Sequence, residues 1–84
     1  ELEMNDALRM ERRNVYIGDR RTTLALEHYF WKTLEGISFV ENMTIDEILT
    51  TINEARRNQT RLTATVRYVI NQTVQIQYES EDIT

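Results

Sequence analysis

The sequence of 84 residues has no cysteine, no proline, two glycines and one histidine. Without cysteine there is no disulfide framework and no thiol nucleophile, and a single histidine leaves too few ligands for a zinc site. Gly18 and Gly36 are too far apart to build a phosphate-cradling loop. His28 has Glu27 beside it but neither a second ligand nor a nucleophile, so a surface or capping role is expected. No enzyme activity, cofactor or metal is therefore expected. No apolar run approaches the roughly 20 residues that cross a bilayer, and no basic flank leads into an apolar export segment. The expected compartment is the cytoplasm, with no membrane contact. The chain opens on Glu1, which leaves Met4 and Met10 both open as native starts.

What is present is 40% hydrophobic and 29% charged, with ten basic and fourteen acidic side chains and a formal net charge of −4. These numbers describe one small domain. A chain of this size without disulfides or metals commonly gains stability by association, so a homodimer is expected. Charge is unevenly spread: Arg9, Arg12, Arg13, Arg20 and Arg21 face only Glu11 and Asp19 within residues 9–21, a local balance of +3. Acidic residues gather at the two ends instead (Glu1, Glu3, Asp6; Glu79, Glu81, Asp82).

Within the basic stretch, 14–17 and 21–26 are rich in β-branched and apolar residues. The second run alternates Arg21, Thr23 and Ala25 with Thr22, Leu24 and Leu26, as a strand with one buried face does. Gly18-Asp19 between them fits either a tight hairpin turn or a bulge that ends pairing. From Glu27 the period becomes helical, with Phe30, Leu34 and Ile37 on one stripe and Trp31 adjacent. Such aromatics at helical spacing are core rather than a ligand pocket. Asn42 is placed to end this helix, and Thr44-Ile45-Asp46-Glu47 has the capping-box pattern that opens a second, with Ile45, Ile48, Leu49 and Ile52 on its apolar face. After a polar break at 58–60, Leu62, Val66, Val69 and Ile70 predict a third helix, with Thr63 a candidate cap. Beyond Asn71 the alternation of Val74, Ile76 and Tyr78 with Gln75 and Gln77 predicts a strand or extended arm before the acidic end.

Arg21-Thr22-Thr23, Leu26-Glu27, Phe30-Trp31 and Leu34 resemble the Arg-Thr-Ser, Leu-Glu, Phe-Trp, Leu pattern of a ribbon-helix-helix domain family of the wider Arc and MetJ-like superfamily. The likeness runs on through Ile52 and Arg56 to Leu62-Thr63-Ala64-Thr65-Val66-Arg67, which resembles that family's Leu-Ser-Ser-Ala-Leu-Arg segment, and covers roughly residues 12–70. It implies a mainly α chain with an N-terminal β-strand, a ribbon-helix-helix with an extra C-terminal helix. Residues 1–11 are then an N-terminal arm, 12–70 the domain, and 71–84 a C-terminal arm with an acidic tail. It also implies an intertwined homodimer in which one strand from each subunit forms a ribbon for the DNA major groove.

On that basis Arg21, Thr23 and Ala25 are expected at base edges, and Arg12, Arg13, Arg20 and Thr44 at the DNA backbone, the last at a helix N-terminus that Asp46 and Glu47 make less welcoming to phosphate. Leu24, Leu26, Phe30, Leu34, Ile48 and Leu49 are expected in the dimer core. The function implied is a repressor-like transcriptional regulator of double-stranded DNA. The alternative is a protein-interaction module, antitoxin-like or adaptor, whose third helix and C-terminal arm bind a protein partner. The arginine cluster would equally suit a solvated strand edge that discourages pairing with other proteins.

Overall fold

The computed structural model of the chain describes residues 6–56 and 60–83, with side chains as far as residue 74. Strands β1 (Met10–Ile17) and β2 (Arg20–Glu27) form an antiparallel hairpin, followed by helices α1 (His28–Glu41), α2 (Ile45–Ala55) and α3 (Leu62–Ile83). The fold is a two-stranded sheet on a helical layer, with a third helix packed behind the first two.

Ile17 pairs with Arg20, so Gly18-Asp19 is a two-residue turn and not a bulge. Gly18 has a φ of 65° and Asp19 a negative one, the φ pattern of a type II′ turn, which matches the twist of the strands it joins. The register places Thr22, Leu24 and Leu26 opposite Val15, Arg13 and Glu11 on the inward face. Leu24 and Leu26 are buried as expected, and a slip of one residue would turn both to water. The expected N-terminal strand thus has a second strand of its own chain beside it, and a two-stranded ribbon exists within one subunit.

α1 ends at Asn42, which takes the left-handed conformation with a φ of 57° and donates its N–H to Ser38 O. α2 opens with the capping box: Glu47 N donates to Thr44 Oγ1 at 3.0 Å and Thr44 N to Glu47 Oε1 at 2.8 Å. α3 begins at Leu62, with Thr65 N donating to Arg61 O, so Thr63 lies inside the first turn and is not the cap.

Leu24, Leu26, Phe30, Leu34, Ile48 and Leu49 are all buried within the single chain, in one cluster with Val66 and Ile70 of α3. Their burial does not depend on a second subunit, because the third helix supplies the covering layer. Trp31 is fully buried and its indole Nε1 donates to Glu11 O at 2.8 Å, which satisfies the one polar atom it brings inside.

The strand or extended arm expected beyond Asn71 is not found; α3 continues through Ile83. Val74 and Tyr78 stand four and eight residues after Ile70, so they fit a helical stripe as well as an alternating strand. A helix already nucleated by packing at Val66 and Ile70 extends at low cost through Gln and Glu, which are good helix formers.

Candidate nucleic-acid interface

In a strand the side chains alternate between faces, and in an antiparallel pair the backbone groups alternate between edges. His28 N donates to Arg9 O at 2.8 Å, continuing the ladder, so Leu26, Leu24 and Thr22 are the β2 residues whose N–H and C=O point at β1. Arg21, Thr23 and Ala25 then have both their side chains on the outward face and their backbone groups on the outer edge of β2. No bond to those edge groups occurs among the described residues.

The outer edge of β1 is treated differently. Tyr16 N donates to Asp46 Oδ1 at 3.1 Å and Gly18 N to Thr50 Oγ1 at 2.8 Å, so α2 closes that edge near the turn. Side-chain closure of one edge leaves β2 as the edge open to another strand.

The outward face is built from the pairs Arg12–Ala25, Asn14–Thr23 and Tyr16–Arg21. Arg12 and Arg21 are exposed, and among the described residues neither has a carboxylate partner. Thr23 Oγ1 donates to Asn14 Oδ1 at 2.7 Å across the strands, which leaves the Thr23 oxygen as acceptor and the Asn14 amide as donor toward solvent. Ala25 offers only its methyl. Together they form a cationic face with hydrogen-bonding groups at alternate positions.

Two residues expected at the DNA backbone are committed elsewhere. Arg13 points inward, where it bonds Glu11 Oε2 at 2.7 Å and Glu35 Oε2 at 3.0 Å and lies 4.9 Å from the Trp31 ring centroid. Burial disfavours its charge, but the bonds to Glu11 and Glu35 outweigh that and hold its pKa above the ordinary value. Thr44 spends its oxygen on the cap of α2, with Asp46 and Glu47 in the same turn. Arg20 is exposed beside the hairpin turn, on the inward-facing set.

Sequence reasoning missed Asn14 and Tyr16 as members of the outward face. Their signal was the alternation of Met10, Arg12, Asn14 and Tyr16 with Glu11, Arg13, Val15 and Ile17, which charged Glu11 and Arg13 on the inward side obscure. Those inward charges are paid for by an ion-pair chain. His28 Nδ1 and Glu11 Oε1 lie 2.7 Å apart, Arg13 bridges Glu11 and Glu35, and Lys32 reaches Glu35 at 3.0 Å. The bond from His28, then that from Arg13, holds the Glu11 carboxyl below its usual value, and Lys32 and then Arg13 do the same to Glu35.

A two-stranded hairpin whose one-sided sheet rests on a capped pair of helices is the ribbon-helix-helix arrangement with one strand added. The sequence profile described as "Ribbon-helix-helix domain" matches residues 10–74, from the first residue of β1 into α3. The chain belongs to this ribbon-helix-helix domain family. No curated protein and no solved structure matches it. Among the described residues no helix is long and apolar enough to cross a membrane.

Proposed function

We propose that the protein is a DNA-binding transcriptional regulator of the repressor type, acting in the cytoplasm as a homodimer and not as an enzyme. The observation that supports this best is the outward hairpin face, where Arg12 and Arg21 stand without carboxylate partners in a chain of net charge −4. Family membership adds to it, since ribbon-helix-helix proteins generally bind DNA as dimers.

In the proposed dimer the free β2 edges of two subunits pair antiparallel, giving a four-stranded sheet β1-β2-β2-β1. With strands about 4.8 Å apart, the central β2 strands lie about 2.4 Å from the two-fold axis and the β1 strands about 7 Å from it. The major groove is about 12 Å wide, so the β2 pair fits between its walls while the β1 strands ride over them. Arg21, Thr23 and Ala25 are then the base-reading set, and Arg12, Asn14 and Tyr16 meet the phosphates. Arg13, bonded to Glu11 and Glu35, and Thr44, whose oxygen caps α2, are left out of this proposed contact set.

The test is titration of the full chain with a mixed-sequence duplex at about 50 and 200 mM salt. Affinity that falls steeply with salt supports the reading, because neutralised phosphates release counterions. Absence of binding at the lower salt overturns it.

A second reading, the protein-interaction module, is favoured by one feature. Phe39 and Val40 on α1 are 89% and 70% exposed, and Val40 shares a cleft of about 300 Å3 with Val74 of α3. Large apolar side chains grouped this way are typical of protein contacts. If they serve only a partner, Phe39→Ser abolishes capture of that partner and leaves duplex affinity unchanged; equal losses of both would remove the distinction.

A further inference from the structure

A second cationic feature lies away from the outward face. Where the hairpin turn meets the end of α2 and the start of α3, a cleft of about 350 Å3 is lined by Asp19, Arg20, Thr22, Asn53 and Arg56, with Ile17 and Leu62 as apolar walls. That volume is within the range of small-ligand sites.

Arg56 is half-buried, and its guanidinium is fixed by two neutral acceptors: Nε donates to Asn53 Oδ1 at 3.1 Å and Nη1 to Thr60 O at 2.8 Å. Those bonds set the plane of the group, and among the described residues no carboxylate compensates its charge and its remaining N–H donors make no bond. Arg9, Arg13 and Arg67 each hold a carboxylate, whereas Arg20 and Arg56 hold none among the described residues. Two guanidiniums thus line one concave site with a single carboxylate, Asp19, to oppose them. Asn53 accepts through its oxygen and among the described residues its amide hydrogens make no bond, and the Thr22 hydroxyl adds a neutral donor. A planar, oriented guanidinium beside a second cation suits a tetrahedral oxyanion that can take paired N–H bonds.

We propose that the Arg20–Arg56 cleft is a phosphate-binding site, filled by a phosphate of the duplex backbone or by a free phosphomonoester. Arg56 is the half of the site fixed by hydrogen bonds, and Arg20, exposed beside the hairpin turn, supplies the second cation. Asp19 is the one opposing charge in the lining, and it weakens binding of either source.

The test is a titration of the full chain with inorganic phosphate at ionic strength held constant with chloride, followed by the NMR signals of the Arg20 and Arg56 Nε–H groups. Saturable shifts of both are expected, with affinity about tenfold lower in Arg20→Gln and in Arg56→Gln and higher in Asp19→Asn. Arg20→Gln breaks no hydrogen bond or ion pair found among the described residues, so a loss there is not a folding defect. Signals that do not move, or that drift without saturating as phosphate replaces chloride, or phosphate affinity unchanged in Arg20→Gln, would overturn the proposal whether or not the protein binds DNA. Titration with a mixed-sequence duplex separates the two sources. A duplex affinity that drops in Arg20→Gln with a salt slope smaller by about one identifies a backbone phosphate, and an unchanged one identifies a free phosphomonoester.

Discussion

Arg12 and Arg13 are adjacent in sequence and opposite in role, because successive residues of a strand face opposite ways. Arg12 is exposed on the outward face, while Arg13 is bonded to Glu11 and Glu35 and stacked on Trp31. Arg13→Ala is expected to lower stability by about 1–2 kcal/mol, the sum of a partly exposed ion-pair pair and a cation–π contact, and to leave duplex affinity per folded molecule unchanged. Urea unfolding set beside duplex titration checks it, and a stable protein with weakened DNA binding would return Arg13 to the interface. Arg21 and Arg12 are expected to differ in another way. Arg21→Ala should cost about 1–3 kcal/mol on a preferred site and relax the choice of base at one position, as loss of a bidentate guanine contact does. Arg12→Ala should weaken all sequences alike and shrink the salt slope by about one. Selection from a randomised duplex pool distinguishes the two; uniform loss in both variants would remove Arg21 from base reading.

At the level of elements, the base of the hairpin is joined to α1 by the Glu11 and His28 pair and by Arg13 reaching Glu35. Glu11 and Glu35 are more acidic folded than unfolded, so their contribution is complete above the ordinary glutamate value of 4.5 and is lost as pH falls through their lowered values. Wild type is therefore expected to exceed Glu11→Gln in stability at pH 7, with the gap closing below about pH 4.5. Urea midpoints between pH 7 and 3 follow this, and a gap unchanged at pH 3 would show that Glu11 acts by packing alone. Much of this architecture was legible in the chain: the shift from alternation to helical period at Glu27, Asn42 as the left-handed stop, and the Thr44–Glu47 box each state a local backbone requirement in residue type. The inward turn of Arg13 was not, since a charged residue reads as exposed until its partners, two and 22 positions away, are brought beside it. Nor was the helix beyond Asn71, because Ile70, Val74 and Tyr78 suit either period and only packing upstream decides. The Arg20–Arg56 cleft was equally hidden, as it joins residues 36 positions apart through the meeting of three elements.

For the whole molecule, the self-contained core changes what the proposed dimerisation has to do. Leu24, Leu26, Phe30, Leu34, Ile48 and Leu49 are enclosed without a second subunit, so association need not complete the fold and can rest on the open edge of β2. A proline discriminates between the two edges of that strand, because it removes one N–H and tolerates an extended backbone. The N–H of Thr23 points away from β1, whereas that of Leu24 points toward it. Thr23→Pro is thus expected to keep the hairpin, losing only the side-chain bond to Asn14, and to convert a dimer into a folded monomer. Leu24→Pro should instead cost the ladder itself and unfold the protein. Light scattering gives the mass and circular dichroism the fold. Thr23→Pro with dimer mass intact would place the subunit contact elsewhere and remove the paired β2 ribbon from the proposed complex with DNA. A folded monomer that also loses duplex affinity would tie the two functions to the same strand edge.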